Sequence, residues 1–425
     1  YRAIPYHGRL RPWYNACYAD IIKERLVIRV KLLIEFYHKN ILENMVAAVG
    51  IQPDIVMFYF DPMFFTHTAV YNTYLACRKY IPYLKLELGT WDSSDFWAME
   101  DKLSRYISEN KTEEILIDLT GGNELAAVAA YRCCSENEAD LICADIRNFR
   151  IYSINHPSYR FGCQSLEITD IVEAAGGKVI SCADNGYLDK NRENLYATAC
   201  KVLENAGAWS GICSFLQKNS VSSRANHTRH FSADLEGHGK SRRFVPDEKI
   251  MHFLARTHMI LNLSIKNDHI QFDYRDMECL NFLTTYGVWL EFLTYYALRS
   301  SKKFHDVRNS LKVDWNRNDD QDIIGNEIDV TAMFGCVPVV VSCKMSENST
   351  DADAVNELYA VSHRVSRGHV IRVLVTYSNI KERRMGIYLK AREMGIIVMD
   401  EGDIRRPDFP KRLERAICQN RTIIR

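Results

Sequence analysis

Glu327, Asp329 and Lys344 bracket the stretch "NEIDVTAMFGCVPVVVSCK", residues 326–344, which is otherwise mostly apolar. Strand side chains alternate between faces, so Glu327 and Asp329 share one side, as do Ser342 and Lys344. Paired as neighbouring strands, the two segments would bring the carboxylates and the ammonium to one spot. A further acid, Glu291, interrupts "YGVWLEFLTYY", an almost wholly apolar stretch of helical character. Burying charge is costly unless it is paired or bound to a metal. Hard divalent cations prefer oxygen ligands, and bound Mg²⁺ or Mn²⁺ can activate a water and offset phosphodiester charge. A lysine beside such a cation positions the water or stabilises developing charge. The competing reading is a structural ion pair at a hairpin edge, since ion-pair networks are common.

A second cluster lies at "DLTGGNELAAVAA", residues 118–130, where an apolar strand turns into a helix. Paired glycines allow a backbone to approach a ligand closely, and helix-start N–H groups favour phosphate. Thr120, Gly121, Gly122 and Asn123 form this turn. The loop "EFYHKN" after an earlier strand would face this turn, offering His38, Lys39 and Asn40. Plain turn chemistry explains the same residues equally well.

The elements around these clusters point to an α/β protein. From residue 31, apolar runs suited to buried strands alternate with helical spacings up to about residue 155, the pattern of a mostly parallel sheet covered on both faces. Ligands of such sheets bind at strand carboxyl ends beside the topological switch point. Residues 270–425 read as a second α/β domain, and 156–269 as a connector with some fold of its own. Residues 1–30 are expected to be an N-terminal extension, and the polar, His-rich stretch 218–249 a loop. With 425 residues, two or three domains are expected.

Composition narrows the setting. Formal net charge is zero, so any nucleic-acid site must come from local patches. Two exist: residues 381–425 hold twelve Lys/Arg against seven Asp/Glu, and 218–249 hold seven against four. The thirteen cysteines include no CxxC pair, which fits a reduced, cytoplasmic setting better than a disulfide framework. No apolar run reaches membrane-spanning length. "GHGKS" at 237–241 has the wrong glycine spacing for a phosphate loop. His227 and His230 lack the further ligands a closed zinc site needs.

The order Glu291, Asp329, a hairpin ending at Lys344 and then a helix resembles the PD-(D/E)xK nuclease superfamily. With "GVWLE", "NEIDV" and "VVSCK", and the Thr120–Asn123 turn upstream, the chain resembles the CARF-fused nucleases of type III CRISPR systems, in which a Rossmann-like sensor precedes the nuclease. This resemblance implies a CARF domain over 31–155 and a restriction-endonuclease-like domain over 270–425. It also implies a homodimer that binds a cyclic oligoadenylate, cyclic tetra-adenylate foremost, at Thr120–Asn123 and His38–Asn40, with Lys39 meeting phosphate and Tyr37 stacking on adenine. Catalysis would run through Glu291, Asp329 and Lys344 with Glu327 and Ser342 nearby, and the metal, Mn²⁺ or Mg²⁺, would sit on Glu291, Asp329 and Cys343. Substrates would be DNA or RNA, with no membrane involved. The chain departs from the pattern at Ser342, where an acid is usual; Glu327 or Glu357 would have to replace it. Arg364, Arg383 and Arg384 are candidates to hold the substrate backbone. The alternative reading is a non-catalytic sensor that only binds nucleic acid.

Overall fold

Apolar hexamers buried along almost their whole length form central strands, because only helices on both sheet faces remove alternate side chains from water together. "KLLIEF" at Lys31–Phe36 (β1) and "IVMFYF" at Ile55–Phe60 (β2) are such runs. In this computed structural model, which describes residues 30–110, 113–156, 160–235, 244–266, 268–316 and 325–419, they pair in parallel. Lys85–Thr90 (β3), Glu114–Asp118 (β4) and Asp140–Asp145 (β5) extend the parallel sheet in the order β3-β2-β1-β4-β5. Arg150–Ser153 (β6) and Arg160–Gly162 (β7) then add antiparallel edges, which carries the first sheet past residue 155. Chain order reverses between β1 and β4, so the loops after these two strands flank the crevice at the switch point.

Successive β1 side chains serve different cores. Leu32, Ile34 and Phe36 pack in one cluster with Met99 and Leu103 of the Phe96–Glu109 helix and Ala126, Ala129 and Ala130 of the Glu124–Glu136 helix. Leu33 and Tyr37 face the other side, into a cluster that continues through the C-terminal half of the chain.

Lys178–Ser181 (β8), His230–Asp234 (β9), Ile260–Lys266 (β10) and His269–Tyr274 (β11) show that the 156–269 region contributes to both later sheets. β9, β10 and β11 make an antiparallel sheet of order β10-β11-β9. β9 falls in the stretch expected to be a loop. Its residues alternate exposed and buried, a strand signal masked by the polar composition around it. The remaining strands are His305–Asp314 (β12), Gly325–Phe334 (β13), Val337–Lys344 (β14), Ile371–Thr376 (β15) and Ile396–Met399 (β16). They form a mixed sheet of order β16-β15-β14-β13-β12-β8, with β8 as its edge. Residues 1–29, most of the expected extension, lie outside the described residues. No helix among the described residues is long and apolar enough to cross a membrane.

Candidate functional site

Strands β13 and β14 form the expected hairpin, Val330 opposite Val341 and Thr331 opposite Val340. Its turn at Gly335 has φ +61°, and a Cβ there would meet the Phe149 ring at 2.6 Å, so glycine is required twice over. The register brings Asp329 beside the end of β14. One Asp329 oxygen, Oδ2, accepts the Cys343 main-chain N–H at 2.6 Å and faces the Ser342 hydroxyl at 3.4 Å. Asp329, Ser342 and Lys344 line one small cavity together with Glu327, Glu357 and Val361. Lys344 Nζ lies 3.8 Å from Glu357 Oε2, which reaches in from the Ala352–Ser366 helix.

Glu291 approaches from the Val288–Arg299 helix. That helix is wedged in place by aromatics: Tyr296 stacks on Tyr196 at 4.2 Å, and Trp289 meets Trp209 edge-on. Burial, then the charges of Asp329 and Glu327, push the Glu291 carboxyl up to about 8, with Lys344 opposing. Burial likewise raises Asp329, while the Cys343 N–H and Lys344 hold it back. The acids therefore crowd one another, and Lys344 offsets them only in part. Glu327 sits further out, bonded to the Ser310 hydroxyl and 3.6 Å from Lys312 Nζ.

Cys343 turns its thiol the other way. Its Sγ lies 3.6 Å from Thr294 Oγ1 on the helix of Glu291, and burial raises its pKa well above the ordinary thiol range. Among the described residues no three His, Cys, Asp or Glu side chains form a ready metal cage. Of the basic residues singled out, Arg384 is committed to the Glu347 and Thr350 carbonyls, and Arg364 lies over the Trp315 ring at 5.1 Å.

The two N-terminal loops do meet. A Cβ on Gly121 would fall 2.3 Å from the Phe36 carbonyl oxygen and 3.3 Å from His38 Cβ; Gly122 has φ +81°. The glycines are thus fixed by packing of the β4 turn on the β1 end. Thr120 donates to Asp118 at 2.5 Å and accepts from Ala144 N–H at 2.6 Å. Asn123 caps the next helix through Ala126 N–H and holds the Ser93 carbonyl. Asn40 and His38 both contact Glu43, whereas Lys39 is exposed. Tyr37 is 6% exposed, its hydroxyl bonded to Ala69 and Thr73, so it is a core residue and not a stacking platform.

Residues 276–415 match the family model described as Card1-like, endonuclease domain. Over this span, a third of the chain, the sequence is similar to Card1-like endonuclease domains. Glu291, Glu327, Asp329, Ser342 and Lys344 all lie inside the matched span. No curated protein matches the chain. Among solved structures, protein VC1899 from Vibrio cholerae superposes with TM-score 0.75 at 12% identity, over 92% of this chain and 99% of that one. Can2 from Sulfobacillus thermosulfidooxidans, in complex with cyclic tetra-adenylate, superposes with TM-score 0.65 at 13% identity, over 92% and 98%. The two-domain α/β fold and the resemblance to CARF-fused nucleases agree with these matches.

Ahead of the Card1-like domain, the structure also exposes residues that sequence reasoning missed. Glu35 and Asp118 are neighbours in register on β1 and β4, both fully buried, directly beneath the two loops. Glu35 carries the signal that drew attention to Glu291: a lone acid in an apolar run. Glu43 could not be found that way, because its partner His369 is distant in sequence.

Proposed function

We propose that this chain is a metal-dependent nuclease of PD-(D/E)xK type, activated by a cyclic oligoadenylate. The observation that carries this reading is the meeting of Asp329, Ser342, Lys344 and Glu357 around one cavity, with the buried Glu291 carboxyl feeling the charges of Asp329, Glu327 and Lys344. Carboxylates crowded around a single ammonium are a donor set suited to a hard divalent cation, so the residues fit Mg²⁺ or Mn²⁺. Such a cation would supply Lewis-acid stabilisation of phosphodiester charge and an acidified water.

The chain's own residues do the rest. Asp329 is oriented by the Cys343 N–H on Oδ2, which leaves Oδ1 free to serve as a ligand. Glu291 would be the second carboxylate ligand. Any ligand from Cys343 would be its main-chain carbonyl, since the thiol faces the core. Lys344 orients the attacking water and stabilises negative charge growing on phosphorus. Glu357 lines the Lys344 side of the cavity and is the acid best placed to make up for Ser342.

Activation rests on the N-terminal domain. The loops 38–40 and 120–123 flank the switch-point crevice, where parallel α/β sheets take their ligands, and the fold matches that of Can2 bound to cyclic tetra-adenylate. The Glu124–Glu136 helix presents exposed Leu125, Val128 and Tyr131, an apolar stripe suited to a two-fold homodimer that shares one symmetric ring. Incubating the protein with Mn²⁺, cyclic oligoadenylates of different size, and single- and double-stranded DNA and RNA tests the whole reading. Cleavage that needs both ring and metal, and is lost in Asp329→Ala, supports it. Ring-dependent binding that leaves every nucleic acid intact overturns it in favour of a non-catalytic sensor.

A further inference from the structure

Between the N-terminal loop and the C-terminal domain lies a cavity of about 880 Å³. Lys39 lines it from the N-terminal side; Tyr359, His363, Arg367, Arg372 and Arg392 line it from the C-terminal side. Four permanent cations thus face one lining acid, Glu393. Arg372 is the unusual member. It is only 6% exposed, donates from Nε to the Ser362 hydroxyl at 2.7 Å, and packs its guanidinium 4.7 Å from the Tyr359 ring centre. Among the described residues no carboxylate pairs with it, nor with Lys39, Arg367 or Arg392. A buried guanidinium left without a counter-charge is costly to maintain.

Arg367 adds a second oddity. It caps the Ala352–Ser366 helix at φ +57°, a left-handed position that favours glycine, although the very next residue is Gly368. Gly368 packs closely against the N-terminal loop, since a Cβ there would fall 2.4 Å from Asn40 Oδ1. Burial and the cations Arg372, Arg367 and Lys39 lower the His363 pKa, so its ring stays neutral at pH 7.

The cavity also sits apart from the candidate nuclease centre. Glu357, Leu358 and Val361 of the Ala352–Ser366 helix line the centre, whereas Tyr359, His363 and the cap residue Arg367 line this cavity. One helix therefore separates the two, and an anion bound here would touch the helix that carries Glu357.

We propose that this cavity is a phosphate-binding effector site, anchored by Arg372 and completed by Arg367, Arg392 and Lys39 across the domain boundary. Planar guanidiniums recognise phosphate through paired, charge-assisted hydrogen bonds. The phosphate can belong to the cyclic activator, reached through Lys39, or to a separate small phosphate compound. Neither source requires that the chain cut nucleic acid.

Calorimetric titration of the full chain with pyrophosphate at constant ionic strength tests the site. Saturable binding is expected, weakened about tenfold by Arg392→Ala and about tenfold by Arg367→Gly, the loss of one charge-assisted contact each. Arg367→Gly relieves the left-handed backbone, and an unchanged thermal midpoint in that variant separates weaker binding from misfolding. Absence of saturable binding, or unchanged affinity in both variants, overturns the proposal. Titrating cyclic tetra-adenylate with and without saturating pyrophosphate then identifies the source. Competition assigns the site to the activator's own phosphates, and independent binding assigns it to a separate effector. Pyrophosphate binding needs no cleavage, so failure here and failure of the nuclease reading are told apart.

Discussion

Glu43 and His369 meet at 2.9 Å across the boundary between the N-terminal sheet and the C-terminal domain. The second Glu43 oxygen holds His38, in the loop proposed to contact the activator, and His369 lies two residues before β15. β15 pairs with β14 in parallel, Leu374 opposite Ser342 and Thr376 opposite Lys344. A single carboxylate thus links the 38–40 loop to the strand next to Lys344. Burial alone would raise its pKa, but hydrogen bonds from His369, His38 and Asn40 hold it at about 2. A depressed carboxylate contributes stability that is present above its ordinary pKa and lost as pH falls through the folded value. The wild type should therefore lose this contribution between about 4.5 and about 2. Glu43→Gln should lower stability at pH 7 by about 1–3 kcal/mol, read from the urea midpoint. It should also weaken activation by the cyclic ligand more than it weakens ligand binding.

At the proposed catalytic centre, Lys344→Met should reduce cleavage by about 10²–10³-fold while leaving the affinity for the proposed activator unchanged, measured by titration of the two properties separately. Asp329→Asn should abolish cleavage and also weaken Mn²⁺ binding. Ser342→Asp places an acid where the superfamily pattern has one. Its expected result is tighter Mn²⁺ binding with activity retained, and a dead, unfolded or metal-indifferent protein would count against the assigned geometry.

The hairpin was legible because strand alternation is rigid: once β13 and β14 pair, Asp329 has to lie near Ser342 and Lys344. The parallel sheet was legible for a similar reason, through apolar hexamers with both faces buried. Alternation also put Cys343 on the face opposite Lys344, where its thiol meets Thr294. Tyr37 misled because a tyrosine at a strand end reads as available, whereas its hydroxyl is satisfied inside the core by Ala69 and Thr73. β8 and β9 were hidden because each is short and draws its stability from partners far along the chain, β12 and β11. The Glu43–His369 contact and the cation-lined cavity depend on how two domains dock, and no local pattern encodes that.

Gly121 separates packing from ligand binding. A methyl group there would sit 2.3 Å from the Phe36 main-chain oxygen, which cannot move without disturbing β1. Gly121→Ala should therefore destabilise the folded protein by about 1–3 kcal/mol, seen as a lower thermal midpoint with no ligand present. Thr120→Ser keeps the hydroxyl that bridges Asp118 and Ala144, and should leave that midpoint nearly unchanged. Equal midpoints for wild type and Gly121→Ala would show that the β4 turn is not packed against β1 as described.

Beneath that turn, Glu35 and Asp118 bury two carboxyl groups side by side. Neither Glu35 oxygen receives a donor, and Asp118 Oδ2 is likewise unpartnered. Burial, with the charge of Asp118 added, raises Glu35 well above the usual carboxylate range, and burial raises Asp118 to about 6 against the hydrogen bonds of Thr120. The folded protein therefore binds more protons than the unfolded chain. That stabilisation is complete below the ordinary carboxylate pKa and is lost as pH rises through the folded values. Stability should fall from about pH 4 to about 6 on account of Asp118, by an amount on the order of 3 kcal/mol, and fall further above that as Glu35 ionises. Glu35→Gln supplies a neutral side chain at every pH. Its urea midpoint should match the wild type near pH 4 and exceed it at pH 8, and a variant that tracks the wild type across that range would show that the buried pair carries no shared proton.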